Sequence, residues 1–287
     1  MGSADPRRQP AGSRVPPSSV LSLLRYRVGM VRGLADIGAE GVLLAGAGRA
    51  ILLQIADPAV GRGVAEHSNF AERPLDRLLS TMTYVYAVVY GNEAQIAAVR
   101  RSVNRAHAPV RSQASAGEGD GYSAFDAHSQ LWVVATLYDT AATVHEKIYG
   151  QLDDETADKV YSDYARIGTA LQLPAELWPA DRAAFAEYWN ERLPQLTASE
   201  ATLQVSRDLL YPASGPLWLR LSMPLARFLT AGLLPEHLRA GFGLPWSERR
   251  DRRFARTMKV SSVIYPRLPE RFRHWFKNYC LGRLDAA

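Results

Sequence analysis

Phe125-Asp-Ala-His-Ser-Gln-Leu-Trp-Val-Val-Ala-Thr-Leu-Tyr-Asp-Thr-Ala-Ala-Thr-Val-His-Glu-Lys-Ile-Tyr149 is the stretch on which the fold turns. Asp126 stands where a helix N-cap belongs, and Gly150 follows as a stop. Between them the chain is apolar over most of a helical circumference, so this helix must be surrounded by other helices. Val133 and Val134 are strand-friendly residues, yet no alternation of period two is sustained around them.

The segments on either side are also helical in period. Ile37 to Ile55 reads as one Ala- and Leu-rich helix ending before Asp57-Pro58. The most apolar run, residues 42–60, is interrupted by Arg49, Gln54 and Asp57 within less than a membrane span, so a buried helix is expected there. The Gly-containing stretch up to His67 reads as a terminator. Leu75–Tyr90 and Glu93–His107 carry apolar stripes, and the glycine-rich run 112–123 reads as a loop. Further helices are expected over Asp153 to about Gly168, Arg182–Leu193, Ser199–Leu210, Leu217–Leu229, Ser247–Lys259 and Glu270–Cys280. The expected architecture is all-α. A disordered N-terminal arm (1–20), with a first basic helix from Leu21 to Leu34, leads into a single helical domain spanning 21–284.

Composition narrows the function classes. With 47% hydrophobic and 22% charged residues in 287, the chain is ordinary for a globular protein. A single cysteine, Cys280, excludes an intramolecular disulfide framework and any cysteine cluster for zinc or iron–sulfur. With no apolar secretory segment at the N-terminus, a cytoplasmic location is expected. The net charge of +5 is uneven: residues 246–284 hold eleven Lys or Arg against three acids. Solubility, plus pairing of this tail with the acidic body, is the simplest account. No nucleic-acid motif is present, so no nucleic-acid partner is expected, while peripheral membrane contact through the basic C-terminal region stays open.

Donors are dense in two places. His67 precedes Arg73 and Arg77, and Arg101, Asn104, Arg105 and His107 crowd the end of one helix. Such groups need acceptors if they are buried, and they fit either helix capping or a pocket that receives a cofactor. His67 and His107 are the candidate metal ligands. His145, beside Glu146 and Lys147, reads as a surface residue, and His237 and His274 as structural or solvated. No G-x-S-x-G, HExxH or phosphate-binding loop occurs.

An ordered series of segments carries a resemblance over roughly residues 35–280. It runs through GAGRAILLQIADPAVGRGVAEHSNF (46–70), RPLDRLLSTMTYVYAVVYG (73–91), VNRAHAPV (103–110) and GYSAFDAHSQLWVVATLYDT (121–140). LPAELWPADRAAFAEYW (173–189) and GLPWSERRDRRFARTM (243–258) continue it. The chain resembles the MpaB/rubber-oxygenase (latex clearing protein) catalytic domain family, in a bacterial branch long catalogued as a domain of unknown function. The resemblance implies an all-helical domain binding haem b and oxidising a small hydrophobic, isoprenoid-like substrate with dioxygen. It would place Arg101, Asn104, Arg105 and His107 on the distal, catalytic side. His67, Arg73, Arg77, His107, Trp132 and Thr136 would contact the cofactor. Many members read Trp-Val-His-Ala-Thr on the central helix, with that histidine as axial ligand. Here the motif is Trp132-Val133-Val134-Ala135-Thr136, and valine cannot ligate iron. Three outcomes follow: His107 or His67 supplies the ligand, the fold holds a non-haem metal or other substrate, or the chain is a non-catalytic binding protein without cofactor.

Overall fold

The computed structural model describes residues 31–67, 75–113 and 121–285. The expected arm 1–20, nearly all of the Leu21–Leu34 helix, Arg73 and the middle of the 112–123 loop lie outside the described residues. Helices α1 (Leu34–Gly38), α2 (Ala47–Ile55), α3 (Pro58–His67), α4 (Asp76–Tyr90) and α5 (Glu93–His107) come first. A two-residue antiparallel pair, β1 (Arg111–Ser112) with β2 (Tyr122–Ser123), brackets the glycine-rich run. Then follow α6 (Ala127–Tyr149), α7 (Asp154–Thr169), α8 (Arg182–Arg192), α9 (Glu200–Leu210) and α10 (Leu217–Leu233). The last are α11 (Glu236–Gly241), α12 (Glu248–Ile264), α13 (Glu270–Arg273) and α14 (Trp275–Asp285). The all-α expectation holds, with the small β pair as its one departure among the described residues.

Helix α6 is the axis of the molecule, packed against α2, α7 and α12. The Asp126 carboxylate accepts the Ser129 N–H at 2.7 Å, and Gly150 closes the helix at φ 89°, where a side chain would be strained. Trp132 is fully buried, donates its indole N–H to the Leu53 carbonyl at 3.0 Å, and stacks on Trp189 of α8 at 5.2 Å. Further along, Tyr138 meets Phe185, Tyr161 and Tyr164 edge-on at 4.8–5.4 Å. Each fully buried side chain of this kind contributes about 1.5–3 kcal/mol of transfer free energy.

Two expectations fail for related reasons. The run Ile37–Ile55 is not one helix: α1 stops at Gly38, a 3-10 turn covers Gly41–Gly46, and α2 begins at Ala47. A methyl on Gly46 would come within 2.4 Å of Thr140 on α6, and one on Gly48 within 2.0 Å of Thr230 on α10. These glycines let three backbones approach, and the local geometry yields to that packing. The stretch before His67 is helical, although it reads as a terminator. Asp57 accepts the Ala59 and Val60 N–H groups at 3.0 Å, and Pro58 takes the first helical position. Gly61 faces Thr202 of α9 too closely for a Cβ, and Gly63 packs beside Val110 and Tyr122, so they mark contacts and not a stop.

Smaller corrections follow. Helix α10 runs on to Leu233 and α12 to Ile264, and His274 breaks the final helix into α13 and α14. Among the described residues no single helix is long and apolar enough to cross a membrane. The segment Gly41–Ile55 with α3 has the composition, but it bends by 107°, and much of it is buried in the core.

Candidate functional site

Helices α2, α4, α6 and α10, with the 3-10 turn, enclose a cavity of about 450 Å³. Its wall is mostly hydrocarbon, from side chains such as Leu43, Ile51, Met82, Val85, Leu137 and Met223. The polar groups in that wall are largely committed elsewhere. Gln54 donates to Thr136 at 3.2 Å, and Thr140 accepts from Arg49 at 2.7 Å. Arg49 also donates to the Leu233 carbonyl at 2.9 Å and to Asp139 at 2.5 Å, tying α2, α6 and α10 together behind the cavity.

Arg77 and Thr81, one turn apart on α4, bring polar groups into the wall. Burial lowers the Arg77 pKa from its usual value. The charge of Arg77 reaches His107, whose imidazole is held below its ordinary pKa, first by burial and then by that guanidinium. His107 packs edge-on to Phe125 at 6.3 Å. One turn earlier, the Asn104 side-chain oxygen is shielded from water and accepts no hydrogen bond. Arg77 thus lines the cavity and acts electrostatically on His107, while Asn104 precedes His107 by one turn of α5; neither Asn104 nor His107 is part of the cavity wall. Arg101 and Arg105 are exposed.

The other named residues lie elsewhere. His67, exposed at the end of α3, has its Nε2 3.1 Å from the Tyr122 hydroxyl, which donates to Glu66 at 2.5 Å. Burial and Glu66 push the Tyr122 phenol up to about 12. This trio pins the β pair onto α3. Trp132 is enclosed in the core, and Thr136 donates to the Val133 carbonyl at 2.7 Å while accepting from Gln54. Arg73 lies outside the described residues. No group of three or more His, Cys, Asp or Glu suited to a metal occurs among the described residues.

The donor set decides how well an imidazole-ligated haem fits. Val134 is buried and faces α7, its Cγ2 3.5 Å from where a Cβ on Gly168 would stand. The cavity wall presents neither imidazole nor thiolate among the described residues. Burial raises the phenols of Tyr86, Tyr90 and Tyr164 well above their usual pKa, so they are neutral hydroxyls at any physiological pH. Met82 and Met223 are left, and among the described residues Arg77 is the one guanidinium in the wall to meet two propionates. A haem held as the resemblance implies does not fit these residues.

His145 is the residue the sequence reading misplaced. It is 4% exposed, stacks on Tyr149 at 5.0 Å, and lines a second cavity of about 310 Å³ between α6 and α7. Burial pushes it down to about 4, against the opposing charge of Glu40. A helical phase running Val134, Tyr138, Ala141, His145, Ile148 was the available signal, and the charged neighbours at 146 and 147 masked it. A histidine buried neutral binds its proton more readily when unfolded. Stability from His145 is therefore full above about pH 6.5 and declines as pH falls toward 4. Urea titrations of His145→Gln should show a shallower acid slope than the parent between those values. An unchanged slope would assign acid sensitivity to another group.

Two mycobacterial proteins are similar to this chain, one from Mycobacterium tuberculosis and one from Mycobacterium bovis, both described as uncharacterized. Each is 38% identical over 226 residues, covering 77% of this chain and 88% of its own length. No solved structure matches it. Residues 35–263, which hold the cavity, its polar neighbours and α6, match a family model described as the catalytic domain of ER-bound oxygenase mpaB/B'/rubber oxygenase, and the chain belongs to that family.

Proposed function

We propose that this protein holds a small hydrophobic molecule, isoprenoid-like in size, in the cavity between α2, α4, α6 and α10. Family membership supports oxygenase chemistry in general terms, and the bound molecule is then its substrate. The observation that carries the reading is the wall itself: a partly open cavity of about 450 Å³ lined mostly by hydrocarbon, with Arg77 and Thr81 as its polar feature on α4. Such a chamber shields an apolar ligand from water over most of its surface, and Arg77 and Thr81 put polar atoms in the same wall. Beyond Arg77, helix α5 carries the unused buried acceptor of Asn104 and the imidazole of His107, whose pKa burial and the Arg77 charge lower. No reaction step is assigned to a haem, because the donor set lacks its ligand. Hydrophobic-ligand binding without that cofactor is thus the part of the family's behaviour these residues support best.

The test is a fluorescence titration with a dansylated undecanoic acid, whose chain suits the chamber and whose carboxylate suits Arg77. Saturable micromolar binding is expected. Ala226 lines the chamber on α10, and Ala226→Trp should fill it and weaken binding at least tenfold. Absence of saturable binding, or equal affinity in the variant, would sink the proposal.

A further inference from the structure

Helix α10 is apolar on two opposite sides. Leu219, Met223, Ala226 and Thr230 face the chamber. On the other side Leu217, Trp218, Leu221 and Leu225 are 68, 61, 71 and 55% exposed. These four fall on one face of the helix at a spacing of 3.6 residues per turn. Leu225 belongs to both surfaces, being exposed and also part of the chamber wall. Apolar surface therefore runs without a break from the outside of the protein into the chamber. A stripe of this kind marks an interaction surface.

What covers it is indicated by charge. Phe228 continues the same face of α10, and the Arg253 guanidinium of α12 lies over its ring at 5.9 Å. Arg253 shares the exposed first half of α12 with Arg249 and Arg256, none of which has a carboxylate partner among the described residues. Arg220, on the flank of α10, is exposed as well. Trp and Leu on one side with arginines at the edge is the arrangement of a helix that lies in the interface of an anionic bilayer. A second protein surface would need acidic complementarity to all of these arginines, while phosphate headgroups supply it wherever the apolar side chains insert. A ligand that partitions poorly into water also needs a route that avoids water.

We propose that the exposed face of α10, flanked by the arginines of α12, seats this protein on an anionic lipid surface, so that the chamber opens toward the bilayer. The seating stands on exposure and charge alone; the route for the ligand rests on the chamber reading of the preceding section. It places the basic C-terminal region beside the apolar anchor and does not make that region the anchor itself.

Cosedimentation of the full chain with vesicles tests this. Vesicles of phosphatidylcholine with phosphatidylglycerol should capture the protein at low salt, and pure phosphatidylcholine vesicles should capture much less. The double variant Trp218→Glu/Leu221→Glu changes residues outside the chamber wall, and its partitioning should fall at least tenfold while the dansyl probe still binds in solution. Retained probe binding also reports that the variant is folded. No capture of the parent by anionic vesicles, or equal capture of the variant, overturns the proposal. So does a parent dimer that the two substitutions dissociate, since a second copy would then cover the face. If vesicles capture the parent and not the variant, the probe binds neither, and the variant keeps the parent's circular dichroism and cooperative melt, the seating stands and the chamber reading fails.

Discussion

Arg49→Ala should lose about 3–5 kcal/mol of folding stability, the cost of leaving a buried charge without its partner. Arg49 is 5% exposed and holds three acceptors at once: the Asp139 carboxylate, the Thr140 hydroxyl and the Leu233 carbonyl. Alanine leaves all three unpaired between α2, α6 and α10. Burial already raises the Asp139 pKa, with Arg49 opposing that rise. Removing Arg49 raises it further. The missing stabilisation belongs to the ionised carboxylate, so the deficit is fullest at alkaline pH and shrinks as falling pH protonates Asp139. Urea melts at pH 8 and pH 5 should show the larger gap between parent and variant at pH 8. Arg49→Met/Asp139→Leu, which removes both charges, should recover most of the loss. Equal deficits at both pH values would mean that Asp139 does not need Arg49.

Protein purified with haem supplied during expression should show no stoichiometric Soret band, and His107→Ala and His67→Ala should leave that spectrum unchanged. Val134, where the resemblance implies an axial histidine, is buried and packs toward Gly168. His67 is engaged by Tyr122 on the surface of α3. His107 neighbours Arg77, and the cavity wall itself presents no imidazole among the described residues. A stoichiometric band that disappears in His107→Ala would reinstate a haem ligated from α5 and reject the donor-set argument. The contrast with the parent is all or none, which makes this the cheapest decisive measurement.

Much of the fold was legible because helices declare themselves locally. The cap Asp126, the helix starts at Ser199 and Ser247 and the stop at Gly150 each act on the residues next to them. Glycine was legible only in part. At 150 it ends a helix, whereas at 46, 48 and 61 it permits contact with elements far along the chain. Local reading cannot separate these uses, because both begin with the missing Cβ.

The candidate site was less legible. Arg77, Asn104 and His107 were identifiable as a surplus of donors, but Arg101 and Arg105 of the same helix face solvent. Trp132 and Thr136 turned out to be held by Leu53, Gln54 and Val133 inside the packed core. His145 looked solvated from its charged neighbours and is buried.

By itself the sequence determined the helical class, the position and ends of α6, the family, and the valine at 134. Each is written in residue identity or in short-range periodicity, where the energy depends on neighbours within a turn or two. Tertiary structure alone decided the break between α1 and α2, the pairing of Arg49 with Asp139 ninety residues away, and the burial of His145. It also decided that α10 has one apolar face in the chamber and another in solvent. Those outcomes depend on which distant surfaces meet, since desolvation and packing are properties of the assembled environment and not of any one segment.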